Sequence, residues 1–348
     1  MAGIVVMGAG VLGLSAAFEL ARRGARVTMI ERDRPGAWAS GGVVGALAPH
    51  APEGWTPAKA LQLESLLMAK GFWDAVARTG GVDPGYARLG RVQPLADDAA
   101  VTRAQARAEG ARSLWRGQAE WRVVPLDAVP GLRLHTSTGF VAYDTLSARI
   151  APRRAVVALV AALKVLGVPV QTGDAPPGDA ETVIWATGAA GLAALGQDLG
   201  RDMGRAVKGQ AAILAADWRD APQLYAGGLH IVPHADGTVA LGSTSERDFD
   251  APETTDAQLD ALIARVREVC PDLADAPVID RWAGLRARAP SRAPMLGPWP
   301  GRAGQFVLNG GFKIGFGMAP ILARMIADLL EGHGEIPAGL RVIDNVRK

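Results

Sequence analysis

Residues 3–31 read GIVVMGAGVLGLSAAFELARRGARVTMIE, and this stretch decides the fold. The apolar run from Gly3 to Met7 is long enough for a buried strand of a parallel sheet. The Ala- and Leu-rich stretch from Leu14 to Arg23 predicts a helix that ends near Gly24. Residues Arg26 to Ile30 predict a second strand. Together these elements form one βαβ unit, the building block of a doubly wound α/β domain.

Three glycines, Gly8, Gly10 and Gly13, follow the first strand with the spacing of a dinucleotide-binding loop. The first permits a tight turn, the second lets the backbone approach a pyrophosphate, and the third lets the helix pack closely on the sheet. Free N–H groups and the dipole of this helix N-terminus would stabilise the anion. Glu31 ends the second strand, where it can accept hydrogen bonds from an adenosine ribose and disfavours a 2′-phosphate. The loop therefore predicts a dinucleotide other than NADP, and it leaves FAD and NAD both open.

The composition is that of a large globular α/β chain. Its 348 residues and its hydrophobic fraction of 49% allow a sizeable core. The formal net charge is +2 and the charges are scattered, so nothing resembles the basic footprint of a nucleic-acid-binding protein. Cys270 is the only cysteine, which excludes an internal disulfide and suits a reducing compartment. With no secretory signal and no apolar run that could span a bilayer, we expect a cytoplasmic protein.

Helical and strand patterns alternate along the chain without internal repeats or a low-complexity linker, so the domains are expected to be interleaved. Helices are predicted over 56–82, 99–117, 152–166, 255–269 and 320–331. Strands are predicted over 168–171, 182–186, 211–214, 229–233, 238–242 and 306–309.

Six further segments decide between the two dinucleotides. They are ASGGVVGALAP (39–49), VIWATG (183–188), VKGQ (207–210), GSTSERDF (242–249), AGLRARAPSRAPMLG (283–297) and NGGFKIGFGMAP (309–320). In order and spacing they resemble the FAD-dependent amine oxidoreductases of the D-amino-acid oxidase type, over essentially the whole chain. Within that type the likeness points to glycine oxidases of thiamine biosynthesis and to sarcosine-oxidase-like enzymes.

The resemblance implies an α/β fold with two interleaved domains. A Rossmann-like FAD-binding domain would comprise residues 1–55, 145–205 and 280–348. An α+β substrate domain, built on a mixed or antiparallel sheet, would comprise residues 56–144 and 206–279. FAD would be bound non-covalently, since Cys270 lies outside every matching segment, and no metal is expected. The implied FAD contacts are Gly8, Gly10, Val11, Leu12, Gly13, Glu31, Arg32, Ala39, Ser40, Gly45, Ala46, Gly188, Gly311, Phe312, Lys313, Ile314, Gly315, Phe316 and Gly317.

The activity that the resemblance implies is oxidation of a C–N bond. A hydride passes from the carbon beside the amine to the flavin, and the imine hydrolyses to a keto compound. Arg286 matches the arginine that binds the substrate carboxylate, and its guanidinium fork suits that task. Arg288 and Arg292, which lie nearby in the sequence, are interpreted as surface or structural residues.

Some positions depart from the glycine oxidase pattern, so the substrate need not be glycine. Lys313 and His230 stand where those enzymes carry arginine and tyrosine. Lys313 is expected to contact substrate or to influence the reaction with oxygen, and His230 to hydrogen-bond substrate or simply to pack. Ser245 stands where a larger apolar residue can occur, which indicates more room. The stretch 168–179 is short, so contacts on the adenine side of the cofactor are expected to differ.

Alternatives remain at this stage. The same fold could serve a dehydrogenase that passes electrons to a quinone, or a tailoring enzyme for a larger amine, and a flavin-binding protein without turnover is a different class again. The expected partners are a small amine or amino acid and oxygen or another electron acceptor, without nucleic acid or a membrane span. Substrate chirality and a homo-oligomeric state are left open.

Overall fold

Two large sheets organise the chain, of which a computed structural model describes residues 3–129, 134–178 and 180–346. Among these residues the strands are β1 (Ile4–Met7), β2 (Val27–Glu31), β3 (Ala46–Leu47), β4 (Arg91–Pro94), β5 (Trp121–Pro125), β6 (Phe140–Asp144), β7 (Ala148–Arg149), β8 (Val170–Thr172), β9 (Thr182–Trp185), β10 (Arg205–Ala215), β11 (Gln223–Ala226), β12 (Leu229–Pro233), β13 (Thr238–Gly242), β14 (Val278–Arg288), β15 (Met295–Pro298) and β16 (Gln305–Asn309). The helices are α1 (Val11–Arg22), α2 (Pro57–Gly80), α3 (Asp98–Leu114), α4 (Pro152–Val165), α5 (Gly188–Leu199), α6 (Ala257–Val269), α7 (Gly315–Leu330) and α8 (Val342–Val346).

The predicted βαβ unit lies at the centre of a six-stranded sheet of order β15-β16-β9-β1-β2-β8. Its neighbouring strands are parallel except for the β15–β16 pair. The strand order reverses at β1, which has β2 on one side and β9 on the other. Such a switch point opens a crevice at the carboxyl ends of the strands, where α/β proteins bind ligands.

The second sheet has eight strands in the order β14-β10-β13-β12-β11-β4-β6-β5 and is mostly antiparallel. Its longest pairing joins β10 to β14, with Val207 opposite Arg286 and Gly209 opposite Gly284. Residues 280–288, assigned to the FAD-binding domain by sequence, form part of β14 and extend this sheet. The division into two domains stays a prediction.

The helix α1 is almost entirely buried, as a dinucleotide-binding helix must be when it packs between a sheet and further helices. Its residues Leu14, Ala16 and Phe18 are fully buried, and the Phe18 ring meets Phe72 of α2 edge-on. Burying a side chain of this size stabilises the fold by about 1.5–3 kcal/mol. Cys270 lies in a separate apolar cluster with no exposed surface, where burial raises the pKa of its thiol to about 12. It behaves as the small buried hydrophobe that its sequence setting suggests.

The last long helix begins earlier than the sequence indicates. The prediction placed Pro320 in its first turn, whereas α7 starts at Gly315 and has Pro320 inside it. Proline has no N–H to donate to Phe316 O, four residues earlier. At the next position the hydroxyl of Ser65 of α2 joins the helix, since it donates to Gly317 O and accepts from Ile321 N. Gly315 and Gly317, which precede the predicted helix, therefore belong to the first turn of α7. No helix among the described residues is long and apolar enough to cross a membrane.

Candidate active site

A cavity of about 720 Å³ lies where the two sheets meet, and it is lined by residues of both. The six-stranded sheet contributes the carboxyl ends of β1, β2 and β9 through Met7, Glu31 and Trp185. The eight-stranded sheet contributes His230 of β12 and Arg286 of β14. A volume of this size is in the range of cofactor and ligand sites.

The first turns of α1, α5 and α7 all line this cavity, through Val11, Gly188 and Gly315 respectively. The first N–H groups of a helix have no partner within the helix, and its N-terminus carries a partial positive charge. Three such ends around one cavity give it a positive potential built from backbone alone. The arrangement suits a ligand with phosphate groups.

The glycine loop is tightly constrained at Gly8 and Gly13. Gly8 has a φ of 99°, and a Cβ there would lie 2.6 Å from Ala186 O. A Cβ at Gly13 would lie 2.0 Å from Gly8 O. Gly13 does not line the cavity, and its lack of a side chain instead lets α1 pack against the end of β1, as its position in the sequence predicts. Gly10 does line the cavity.

The side chains of Ser40 and Glu31 hydrogen-bond the backbone of the glycine loop. Ser40 Oγ accepts a hydrogen bond of 2.9 Å from Val11 N. Glu31 accepts from Ala9 N at 2.6 Å and from Asp33 N at 3.0 Å. Each carboxylate oxygen can accept more than one hydrogen bond, so Glu31 both braces the loop and retains acceptor capacity toward the cavity that it lines.

Arg286 is the buried cation of the cavity. Only 8% of its surface is exposed, and its guanidinium lies across Gly209 of the neighbouring strand, where a Cβ would come within 2.0 Å of Nη2. Nη1 donates to Thr244 O at 3.1 Å. Among the described residues no carboxylate forms an ion pair with it, and burial lowers its pKa to about 10, a shift that Glu246 opposes. A buried guanidinium without a counterion is poised to bind an anion.

His230 faces the same cavity and is neutral at physiological pH. Its ring packs on Tyr225, with 4.7 Å between the ring centroids, and its buried Nδ1 has no hydrogen-bond partner among the described residues. Burial, followed by the charges of Arg91, Lys313 and Arg286, lowers its pKa to about 4. A neutral ring with a free nitrogen can hydrogen-bond a ligand in the cavity.

The low pKa of His230 predicts a specific pH dependence of stability. In the unfolded chain His230 has its ordinary pKa of 6.5, whereas in the folded chain its pKa is about 4. The unfolded state therefore binds more protons between these values, and the free energy of unfolding should fall as the pH drops through this window. His230→Phe keeps a ring on Tyr225 and cannot titrate. Urea unfolding at several pH values between 4 and 7.5 should show a shallower slope for this variant. Parallel curves for wild type and variant would contradict the prediction.

Lys313 and Phe312 form part of the wall of the main cavity. Lys313 lies exposed at the cavity wall, and its pKa is lowered by partial desolvation and by the charge of Arg286. Its Nζ stands 5.7 Å from the centroid of the Phe312 ring. Phe312 itself has a φ of 41°, an uncommon value for a residue with a large side chain. Such strained positions are concentrated at functional sites.

The structure brings nearly all the predicted site residues to one cavity. The exceptions are Gly13, which packs behind the loop, and Ile314, which precedes α7 and does not line the wall. The other predicted residues that line it are Gly8, Gly10, Val11, Leu12, Glu31, Arg32, Ala39, Ser40, Gly45, Ala46, Gly188, His230, Arg286, Gly311, Phe312, Lys313, Gly315, Phe316 and Gly317. Ser245 lies outside this cavity, in a second one described below.

Sequence reasoning missed Trp38, Tyr225 and Trp282, aromatic residues that line the cavity. One signal could have found Trp282, because it precedes Gly284 and Arg286 at every second position of one strand. A Cβ at Gly284 would lie 2.4 Å from the Trp282 ring. Tyr225 carries no comparable signal, since it reaches the cavity only through its pairing with His230.

The chemistry of the lining residues fits FAD. The helix N-termini and the glycine loop can hold a pyrophosphate, and Glu31 at the end of β2 can accept from a ribose. Small residues at Ala39, Gly45 and Ala46 line the cavity and leave room for an extended cofactor. The aromatic and glycine-rich wall at Gly311 and Phe316 can accommodate a flat ring system.

Comparison with known proteins agrees with this assignment. The family model described as DAO, FAD dependent oxidoreductase, matches residues 3–329. A glycine oxidase of Pseudomonas aeruginosa is 32% identical over 368 residues, covering 96% of either chain. A glycine oxidase of Geobacillus kaustophilus is 27% identical over 367 residues, covering 94% of this chain and 92% of the other.

Solved structures share the fold. The crystal structure of glycine oxidase from Geobacillus kaustophilus matches with a TM-score of 0.83 and 23% identity, over 96% of both chains. That of iminodiacetate oxidase from Chelativorans sp. BNC1 matches with a TM-score of 0.82 and 24% identity, over 96% of this chain and 97% of the other. These likenesses confirm the predicted α/β fold class.

Proposed function

The chain belongs to the DAO family of FAD-dependent oxidoreductases, and from this premise we propose that it oxidises the C–N bond of an amino acid or a similar carboxylated amine. Family membership confirms the predicted enzyme class and the FAD cofactor. The relatives named glycine oxidase act on an amino acid by name, which supports the proposed substrate class.

The observation that carries the proposal is the guanidinium of Arg286 at the cavity wall, which forms no ion pair with any described residue. We propose that it binds the substrate carboxylate through two parallel hydrogen bonds, because a guanidinium and a carboxylate match in shape and charge. The anion would replace solvent as the partner of a cation that is 8% exposed. Binding there would fix the amine and its neighbouring carbon at one distance from Arg286.

The surrounding cations would also favour a reactive amine. A substrate ammonium near Arg286 and Lys313 is destabilised by like charge, so its pKa falls and the neutral amine is more populated. His230 is neutral, and its free Nδ1 can hydrogen-bond the substrate amine without adding charge. When bound, FAD supplies the two-electron acceptor for the C–H bond beside the nitrogen.

We further propose that FAD lies along the cavity wall formed by the glycine loop, the 39–46 segment and the first turn of α7. The lining glycines and the helix N-termini support this placement. Non-covalent attachment of FAD is supported by the position of Cys270. This residue is buried in the apolar cluster of the eight-stranded sheet, and it is not one of the described residues that line the cavity. Cytoplasmic location and a homo-oligomeric state stay predictions.

Paired substrates test the carboxylate requirement. Glycine and methylamine, or sarcosine and dimethylamine, share the amine and differ by the carboxylate. We expect the holoenzyme to oxidise only the carboxylated member of each pair, with release of hydrogen peroxide in air. Oxidation of methylamine at the rate of glycine would contradict the proposal. Dye reduction without peroxide would instead identify a dehydrogenase with another electron acceptor.

A further inference from the structure

A second cavity, of about 200 Å³, adjoins the first and is lined mainly by cationic side chains. Its wall includes Ser245, Arg247, Arg288, Arg292, Phe312 and Lys313. Phe312 and Lys313 also line the main cavity. The two cavities are therefore neighbours that share one wall.

Among the described residues, none neutralises the positive charge of the second cavity. No carboxylate of these residues lines it, and Arg247, Arg288 and Arg292 form no ion pair with any of them. The nearby Glu246 instead pairs with Lys208 at 3.5 Å, and its other carboxylate oxygen accepts from Gln210 Nε2 at 3.0 Å. The pKa of Arg288 is lowered by desolvation and by the charges of Arg292, Arg247 and Arg205. Arg247 and Arg292 are exposed and Arg288 is half-buried, and all three line the same concavity.

Strand β14 carries both Arg288, which lines the second cavity, and Arg286, which lines the main cavity. Side chains at alternate positions of a strand share a face, so Arg286 and Arg288 point to the same side with their Cα atoms about 7 Å apart. The Phe312 ring stands beside this row, with its centroid 5.9 Å from the Arg288 guanidinium carbon and 5.7 Å from Lys313 Nζ. One ligand with two anionic groups could therefore reach both arginines.

We propose that the second cavity binds a second carboxylate of the substrate, and that the preferred substrates are amines or amino acids with two carboxylates. This inference rests on the proposed function, because the first carboxylate is assigned to Arg286. Ser245 supports it, since a small side chain at this point of the wall leaves the cavity open. Arg288 and Arg292 thereby gain a role in specificity that their sequence position did not suggest.

Anaerobic reduction of the flavin in the holoenzyme tests the inference directly. Iminodiacetate and its monoamide have nearly the same size and differ by one charge. Aspartate and asparagine form a second such pair, and both enantiomers of these two amino acids are tested. For the wild type we expect the dicarboxylate to bind at least about 10-fold more tightly than the amide, the usual strength of a charge-assisted contact. Arg288→Gln should remove most of this preference and change the amide less than about twofold.

Arg205→Gln is the matched control. Arg205 lies opposite Arg288 in the sheet register, pairs with Asp202 at 3.6 Å and does not line the cavity. Its replacement should leave both substrates unaffected. If Arg288→Gln fails to fold, Arg247→Gln removes a charge from the same wall. Equal reduction by dicarboxylates and amides in the wild type would overturn the inference and leave the proposed function standing.

A binding measurement without turnover separates the two claims. Succinate and its monoamide, succinamate, differ only in one carboxylate. Calorimetric titration of the holoenzyme with each of them therefore measures what the second carboxylate contributes to binding. We expect the wild type and Arg205→Gln to bind succinate about 10-fold more tightly than succinamate. Arg288→Gln should bind the two ligands with equal affinity. If no amine reduces the flavin while this pattern holds, the proposed function fails and the anion site stands. Equal binding of the two ligands by the wild type overturns the anion site.

Discussion

Arg286→Ala should lower kcat/KM for carboxylated substrates by about 30-fold to several thousand-fold while FAD remains bound. Removing one partner of a buried charge pair costs about 2–5 kcal/mol, which corresponds to that range. The effect should be largest in KM, because the interaction is already made in the bound substrate. Arg286→Lys should restore part of the loss, since it keeps the charge and lacks the fork.

The same variant should be more stable than the wild type in the absence of substrate. Arg286 is buried without a counterion among the described residues and carries a desolvation penalty, which its pKa of about 10 reflects. Thermal unfolding of the holoenzyme should therefore show a higher midpoint for Arg286→Ala. Arg281→Ala is the control, because Arg281 lies on the opposite face of the same strand and pairs with Asp260 at 2.7 Å. An Arg286→Ala enzyme with unchanged KM would refute the carboxylate assignment.

Gly13→Ala should destabilise the FAD-binding loop and release most of the cofactor. The added Cβ would lie 2.0 Å from Gly8 O, so α1 must move away from the end of β1. Inserting one carbon into a packed interface costs about 1–3 kcal/mol, and the movement also displaces the N–H groups proposed to hold the pyrophosphate. Flavin absorbance per protein and the thermal midpoint of the purified variant measure both effects.

Gly71→Ala provides a matched control for this change. Gly71 also lies within a helix, but a Cβ there meets nothing within 4 Å. Alanine favours a helix over glycine by up to about 1 kcal/mol, so this variant should keep its FAD and unfold at the same or a higher temperature. Full FAD content and an unchanged midpoint in Gly13→Ala would show that the close packing of α1 is unimportant.

The sequence predicted the parts of the fold that short-range patterns determine. The strand at Ile4–Met7 and the strand at Val27–Glu31 lie within one residue of their predicted bounds, because apolar runs and glycine turns act locally. The predicted start of α7 at Pro320 was wrong, because it rests on proline being common in the first turn of a helix. The hydroxyl of Ser65, distant in sequence, hydrogen-bonds Gly317 O and Ile321 N beside this interior proline.

The candidate site divides in the same way. Gly8 and Glu31 were predicted from the glycine loop and the strand that follows it, and Arg286 from the resemblance to the D-amino-acid oxidase type. Tyr225 reaches the cavity only through sheet pairing. The second cavity joins residues from segments as distant as Ser245 and Phe312, so its charge appears only once β14 and the 242–249 segment are folded beside α7.

Anaerobic mixing of the purified yellow holoenzyme with amines shows in one experiment whether the enzyme oxidises carboxylated amines. The panel should contain carboxylated amines, including glycine, sarcosine, both enantiomers of aspartate and iminodiacetate, together with counterparts that carry no carboxylate at all, namely methylamine, dimethylamine and ethylamine. We predict that at least one carboxylated amine bleaches the flavin absorbance, that its keto product forms in equal amount, and that the counterparts do not. A protein that takes up no FAD, or a flavin that no carboxylated amine reduces, would contradict the account.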